Sequence, residues 1–155
     1  MWQHDFMDWN MDNEVKILDD FGEVLKVYIV PQGKTHFEGV CWVGADLFGA
    51  QLGGANFKGA ILYWGFFVSA HLDGANFEGA NLQGINLREA SCVGATFRGA
   101  NLGRSNLGGG SQLQGADLTA AILDDAQLEG AEYDQTTTFP RGFHPKRHGM
   151  IERRS

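Results

Sequence analysis

The sequence predicts an all-β chain that winds around its own core, and three observations lead to that class. A large residue, almost always apolar, recurs at every fifth position from Phe37 onward, as in Phe77, Leu82, Leu87, Cys92, Phe97 and Leu102. A small residue, mostly Ala, stands two positions before each of them, so Ala75 precedes Phe77 and Ala95 precedes Phe97. Two positions after the large residue stands Gly, in 13 of 20 units. The period of five excludes a helix. Five residues turn a helix by about 500°, a drift of roughly 140° per repeat that leaves no stripe to bury. The spacing of two puts both side chains on one face of an extended segment. The following spacing of three breaks the alternation and demands a corner. Glycine marks that corner, because a type II turn needs φ > 0 at its third residue. Trp64, Ser69, Glu89, Arg104, Ala120, Asp125 and Gln135 hold the corner place elsewhere, and these corners are expected to use another turn type.

The register of large residues runs through Phe37, Trp42, Leu47, Leu52, Phe57 and on to Leu107, and resumes at Leu113 as far as Tyr133. That is 15 units, one inserted residue and 5 more, with the insertion expected to be a corner bulge in the glycine-rich stretch Gly108–Gly110. Stability in a solenoid comes from equivalent positions stacking on one another. Cys92 then reads as a small core residue and Cys41 as an outward one, so a disulfide between them is not expected.

The units GADLFGAQLGGANF and GADLTAAIL also resemble the A-(D/N)-L-x-x consensus of pentapeptide repeat proteins, over about two-thirds of the chain. The resemblance implies a right-handed, four-sided β-helix with four units per coil, hence about five coils. At about 4.8 Å per coil the rod would be roughly 24 Å long. The stretch YDQTTTFPRGFHP is similar to the ending of cyanobacterial members.

Three regions follow: residues 1–34 as a non-repeat cap, 35–135 as the repeat β-helix, and 136–155 as a C-terminal cap with a basic, frayed tail from Lys146. Caps are needed because an open coil exposes strand edges and apolar core. Val15 to Val30 reads as a β-hairpin turning at Asp19–Gly22, through its β-branched run and Gly22. A helix reading through Leu18, Phe21, Leu25 and Tyr28 competes. Phe139 and Phe143, beside Pro140 and Pro145, are expected to plug the last coil.

Composition narrows the function classes. The net charge of −7 gives no general affinity for nucleic acid, and no apolar run spans a bilayer. The acidic N-terminus MWQHDFMDWNMDNE lacks the basic and apolar parts of a signal peptide, which predicts a cytoplasmic protein. His4, His36, His71, His144 and His148 form no metal-ligand spacing, no Ser or Cys has a triad motif, and the GGG run lacks a phosphate-loop lysine. No enzyme, cofactor or metal is expected.

One stretch departs from the pattern. In AILYWGFFVSAHL, the outward places that elsewhere hold polar residues carry Ile61, Tyr63, Phe66 and Val68, with Trp64 at the corner. Stacking adds Val43 beneath Tyr63 and Phe48 beneath Val68, which makes one apolar patch. Residues 1–34 are expected to fold back over it; the competing reading is a docking surface for a partner or a second copy. The function expected is a non-catalytic protein-interaction or scaffold module. The alternative is a DNA-mimicking binder of a type II topoisomerase, as some members of the family are. Charge counts against it: residues 35–135 hold 11 acids and 4 bases, whereas duplex DNA carries one charge per ~1.7 Å. Five of the last six acids crowd into Asp124–Asp134 instead of tracking the rod.

Overall fold

A computed structural model describes residues 14–18, 24–29, 35–105 and 108–154, the first two segments by their backbone. From His36 to Thr138 the chain climbs by parallel bridges between residues one coil apart. One column runs Asp46, Phe66, Asn86, Gln112, Glu132, and a second runs Gln51, His71, Ser91, Asp117, Thr138. Four such columns repeat within each twenty residues.

The small and large residues of each unit point inward, as the spacing of two requires. Phe57, Leu62, Phe67, Leu72, Leu82 and Cys92 are fully buried, with Ala55, Ala60 and Ala70 beside them. Equivalent phenylalanines stack along one side of the core. Ring centroids lie 4.9 Å apart for Phe37–Phe57, 5.2 Å for Phe57–Phe77 and 5.1 Å for Phe77–Phe97. That rise matches the ~4.8 Å between neighbouring strands, so the backbone ladder and the aromatic ladder share one repeat. Most corners are closed by a bond from the next small residue to the large one, as in Ala60 N–H to Phe57 O at 3.0 Å.

The corners do not follow the expectation that non-glycine residues change the turn. Trp64, Ser69, Glu89, Ala120 and Asp125 all keep φ between 56° and 59°, close to the 64° of Gly59 and Gly79. The ladder on both sides fixes the corner geometry, and the side chain accepts the left-handed backbone at a cost of about 1–2 kcal/mol. Only Arg104 and Gln135, beside irregular segments, leave that region.

The insertion is also larger than expected. Asn86 pairs with Gln112, Ser91 with Asp117 and Asn101 with Gln127, each a step of 26 rather than 20. The step is thus longer than one coil by six residues, a whole unit and the extra one. Ser105 and Gly109 close the base of the loop through a 2.7 Å backbone bond. Ser111 re-enters as the small inward residue, fully buried, its hydroxyl donating to Leu82 O at 2.9 Å. Gly110 is required there, since a Cβ would lie 1.8 Å from Gly130 O.

Near the N-terminus, β1 (Glu14–Leu18) and β2 (Val24–Ile29) pair antiparallel, as the hairpin reading predicts. The turn proposed at Asp19–Gly22 lies outside the described residues. β1 also pairs antiparallel with β3 (Ala45–Asp46), so the sheet order β2-β1-β3 runs directly into the Asp46–Phe66 column.

The C-terminal segment differs from the frayed tail expected. β5 (Ile151–Glu152) pairs parallel with β4 (Glu132–Tyr133) and extends the same column. A 3-10 turn at Pro145–His148 leads into it, and Met150 is buried. Arg153 holds Glu132 at 2.6 Å and Lys146 holds Glu152 at 2.8 Å, so the basic residues fasten the segment. Phe139 sits edge-on to Tyr133 at 5.5 Å, Phe143 stacks on Phe139, and His148 stacks on Phe143 at 4.5 Å.

Candidate functional site

The outward middle residue of each unit lies in the ladder, and its usual chemistry is local. Asn56 Oδ1 accepts from Lys58 N–H, Asn76 Oδ1 from Glu78 N–H and Asn86 Oδ1 from Arg88 N–H, at 3.1, 2.9 and 3.2 Å. Asp46, Asn81, Asn101 and Asp117 do the same for the residue two positions on. The Asn and Asp of these units are thus turn-closing acceptors.

Ile61 and Phe66 occupy the same position and offer no acceptor. The N–H groups of Tyr63 and Val68 make no such bond. Each replacement forgoes a bond worth about 0.5–1.5 kcal/mol and exposes apolar surface instead. Phe48 is 46% exposed, Phe66 41%, Ile61 39% and Trp64 37%, while Val43, Tyr63 and Val68 are half-buried.

The structure gathers these residues into two aromatic pairs. Phe48 stacks on Phe66 with centroids 6.3 Å apart, and Tyr63 meets Trp64 edge-on at 4.9 Å. Phe48 lies beneath Val68 by backbone pairing, yet its ring leans to Phe66. Among the described residues no ring contact joins the two pairs; the corner at Trp64 and Gly65 separates them. Cys41 bridges to Ile61 and is exposed at the rim. Arg88 borders Val68 on the next coil, through Ser69 N–H to Arg88 O.

Sequence reasoning missed the seat of Trp64. Its indole rests over Gly84, where a Cβ would stand 2.8 Å from Trp64 Cδ1. Arg104 likewise lies over Gly130. Alternation of a large corner residue with Gly one coil on was the available signal. Also missed were the exposed Val93 and Ile122. Ile122 lines an open cleft against the C-terminal segment with Arg98, Asp124, Arg141, Phe143 and His148. Arg98 and Asp124 pair there at 3.5 Å.

The ionisable groups serve the scaffold. Burial pushes the Cys92 thiol far above its ordinary range, and Asp73 and Asp117 add to the effect. Thr138 and Thr119 hydrogen bonds hold the Asp117 carboxyl below its usual value. Arg153 does so for Glu132, and Thr136 for Asp134. Among the described residues no three His, Cys, Asp or Glu side chains cluster as metal ligands, and no helix is long and apolar enough to cross a membrane.

A family model of pentapeptide repeats, in 8 copies, matches residues 34–63, 67–109 and 110–132. The chain belongs to the pentapeptide repeat family. Among solved pentapeptide repeat structures, one from the cyanobacterium Cyanothece 51142 is similar at 29% identity and TM-score 0.60, covering 73% of this chain and 71% of its own. Another, from the thylakoid lumen of Arabidopsis thaliana, is 31% identical with TM-score 0.53, over 64% of this chain and 59% of its own. No curated protein matches. The right-handed β-helix of the pentapeptide repeat family is therefore the architecture that carries the aromatic patch.

Proposed function

We propose that this pentapeptide repeat protein is a non-catalytic interaction module that binds a protein partner on the apolar patch of its first two coils. In this reading the solenoid has five coils, in keeping with five residues in each bridge column. The β1–β2 hairpin caps one end and residues 136–154 cap the other. The observation that carries the reading is the placement of Ile61 and Phe66. They stand in positions where Asn or Asp elsewhere closes the turn, and they give up that bond to present apolar surface. Local rules broken without a local gain mark functional places.

Topoisomerase binding by DNA mimicry is the weaker reading. The outward columns are rich in Asn, and Glu78, Asp124 and Glu132 are paired with Lys58, Arg98 and Arg153. The test compares cross-linked partners of the wild type with those of Tyr63→Ser/Phe66→Ser, both at equal thermal stability. A partner retained by the first and lost by the second supports the proposal. An identical partner set for the two would refute it, and inhibition of DNA gyrase by both would restore the mimic.

A further inference from the structure

We propose that the last coil carries a second docking site, an unpaired ladder edge at Ala121–Asp125 that takes an extended peptide of a partner protein as its next strand. The site stands at the other end of the solenoid from the aromatic patch and is independent of the function proposed for that patch.

Each earlier rung of this column makes three bonds to the rung that follows it. In the rung Ala95–Gly99, Phe97 N–H donates to Ile122 O at 2.7 Å and Gly99 N–H to Asp124 O at 2.9 Å, while Ala95 O accepts from Ile122 N–H at 2.9 Å. The equivalent groups one coil on are Leu123 N–H, Asp125 N–H and Ala121 O. Among the described residues none of the three has a hydrogen-bond partner. The chain itself continues two neighbouring columns, with Thr138 following Asp117 and Ile151 following Glu132. Beside Ile122 it turns away instead, as Phe143 N–H donates to Pro140 O. An open cleft of about 830 Å³ lies between Ala121–Asp125 and residues 140–143. A strand edge of this kind is a template for one more strand, bound through its main chain.

The edge also specifies the peptide. Ala121 and Leu123 keep 6% and 8% exposure, whereas Ala95 and Phe97 one coil earlier are sealed at 0%, so the two inward places call for a small and a larger apolar side chain. Between them the peptide lies beside the exposed Ile122, which favours a third apolar residue. Charge sets the fourth place. Glu38, Lys58, Glu78, Arg98 and Asp124 follow one another a coil apart, acid and base in alternation. Lys58 pairs with Glu78 at 3.2 Å and Arg98 with Asp124 at 3.5 Å. The next place calls for a cation. Asp125 makes no ion pair among the described residues and offsets Arg141, which also lines the cleft. The segment recognised is therefore small, apolar, apolar, basic, in a parallel extended strand.

The test adds the capped peptide Gly-Ala-Val-Leu-Lys-Gly to the full chain at millimolar concentration and follows amide exchange residue by residue. In the free chain Leu123 and Asp125 should exchange severalfold faster than Phe97 and Gly99, and the peptide should slow both severalfold. A peptide N-methylated at its valine, whose N–H would donate to Ala121 O, should lose the effect. N-methylation at its leucine, whose N–H points away from the edge, should preserve it. Exchanging the peptide's lysine for glutamate should weaken the protection, and Asp124→Lys in the protein should restore it for that peptide. Leu123 and Asp125 amides already protected in the free chain would overturn the proposal. Such protection would assign the edge to the chain itself or, if dilution released it, to a second copy. No slowing by the peptide, or equal slowing by both N-methylated forms, would overturn it too. The aromatic patch enters none of these readouts, so failure here is separable from failure of the interaction reading.

Discussion

Replacing Cys92 by Asp places a carboxyl where the structure leaves no water. The Cys92 side chain is fully buried, with Leu72 below it and Leu118 above it in the core. Asp73 and Asp117 lie near enough to push its own thiol upward, so they would disfavour a second negative charge still more. Full burial raises a carboxyl by about 3–5 pH units, and each unit corresponds to about 1.4 kcal/mol. A shift of about 3 units removes about 4 kcal/mol at pH 7, a large share of the 5–15 kcal/mol that holds a domain. The sign follows from linkage. The folded state binds more protons than the unfolded one, so the variant loses stability as pH rises from the ordinary Asp value through its folded value. The deficit relative to wild type should be about 2–3 kcal/mol smaller at pH 5 than at pH 8. Urea denaturation at the two pH values measures it. Cys41→Asp, at an exposed outward place, should stay within about 0.5 kcal/mol of wild type. Equal loss in the two variants would show that the inward–outward register is wrong.

Phe139→Ser with Phe143→Ser should loosen the end nearest Tyr133, so amide exchange at Leu128 and Tyr133 should rise before exchange at Leu82; unchanged protection would remove the aromatic plug from the account. Glu89→Gly should stabilise the chain by about 0.5–1 kcal/mol in thermal melts, by relieving a left-handed non-glycine corner. Gly84→Ala should cost more than Gly99→Ala, because only the first Cβ meets Trp64. Acidification should weaken the C-terminal half first. Asp117, Glu132 and Asp134 are held below their usual values in the fold, so their stabilisation is present above the ordinary carboxylate range and lost as pH falls through the folded values. Exchange at Ile151 and Arg153 amides, followed from pH 6 to about pH 3, reads that loss.

The core was legible because it is repetitive. Phe57, Leu62, Phe67 and Leu72 were placed inward from spacing alone, and all are fully buried. Spacing also gave the hairpin, through the β-branched run that became β2. It misjudged features where the ladder outweighs local preference. Glu89 and Ala120 keep the left-handed corner because the flanking bonds impose it. The loop around Gly108–Gly110 looked like one extra residue, since Leu107 continues the period in the sequence; only the step from Asn86 to Gln112 shows an excess of six. The tail looked frayed by composition, yet Arg153 and Lys146 find partners that linear sequence does not reveal. The patch residues were legible as departures from the polar pattern. Their grouping into two pairs, and the seat of Trp64 on Gly84, depend on side-chain directions that the period does not encode.

Phe66 and Phe67 are neighbours with opposite assignments, 41% exposed and fully buried. Thermal and urea unfolding of Phe66→Ser and Phe67→Ser tests the claim that the outward aromatics serve contact rather than folding. Phe67→Ser should lose at least about 3 kcal/mol, as large-to-small core changes do. Phe66→Ser should remain within about 0.5 kcal/mol of wild type, as a surface change does. A Phe66→Ser protein destabilised as much as Phe67→Ser would contradict the account, for it would make the patch part of the core.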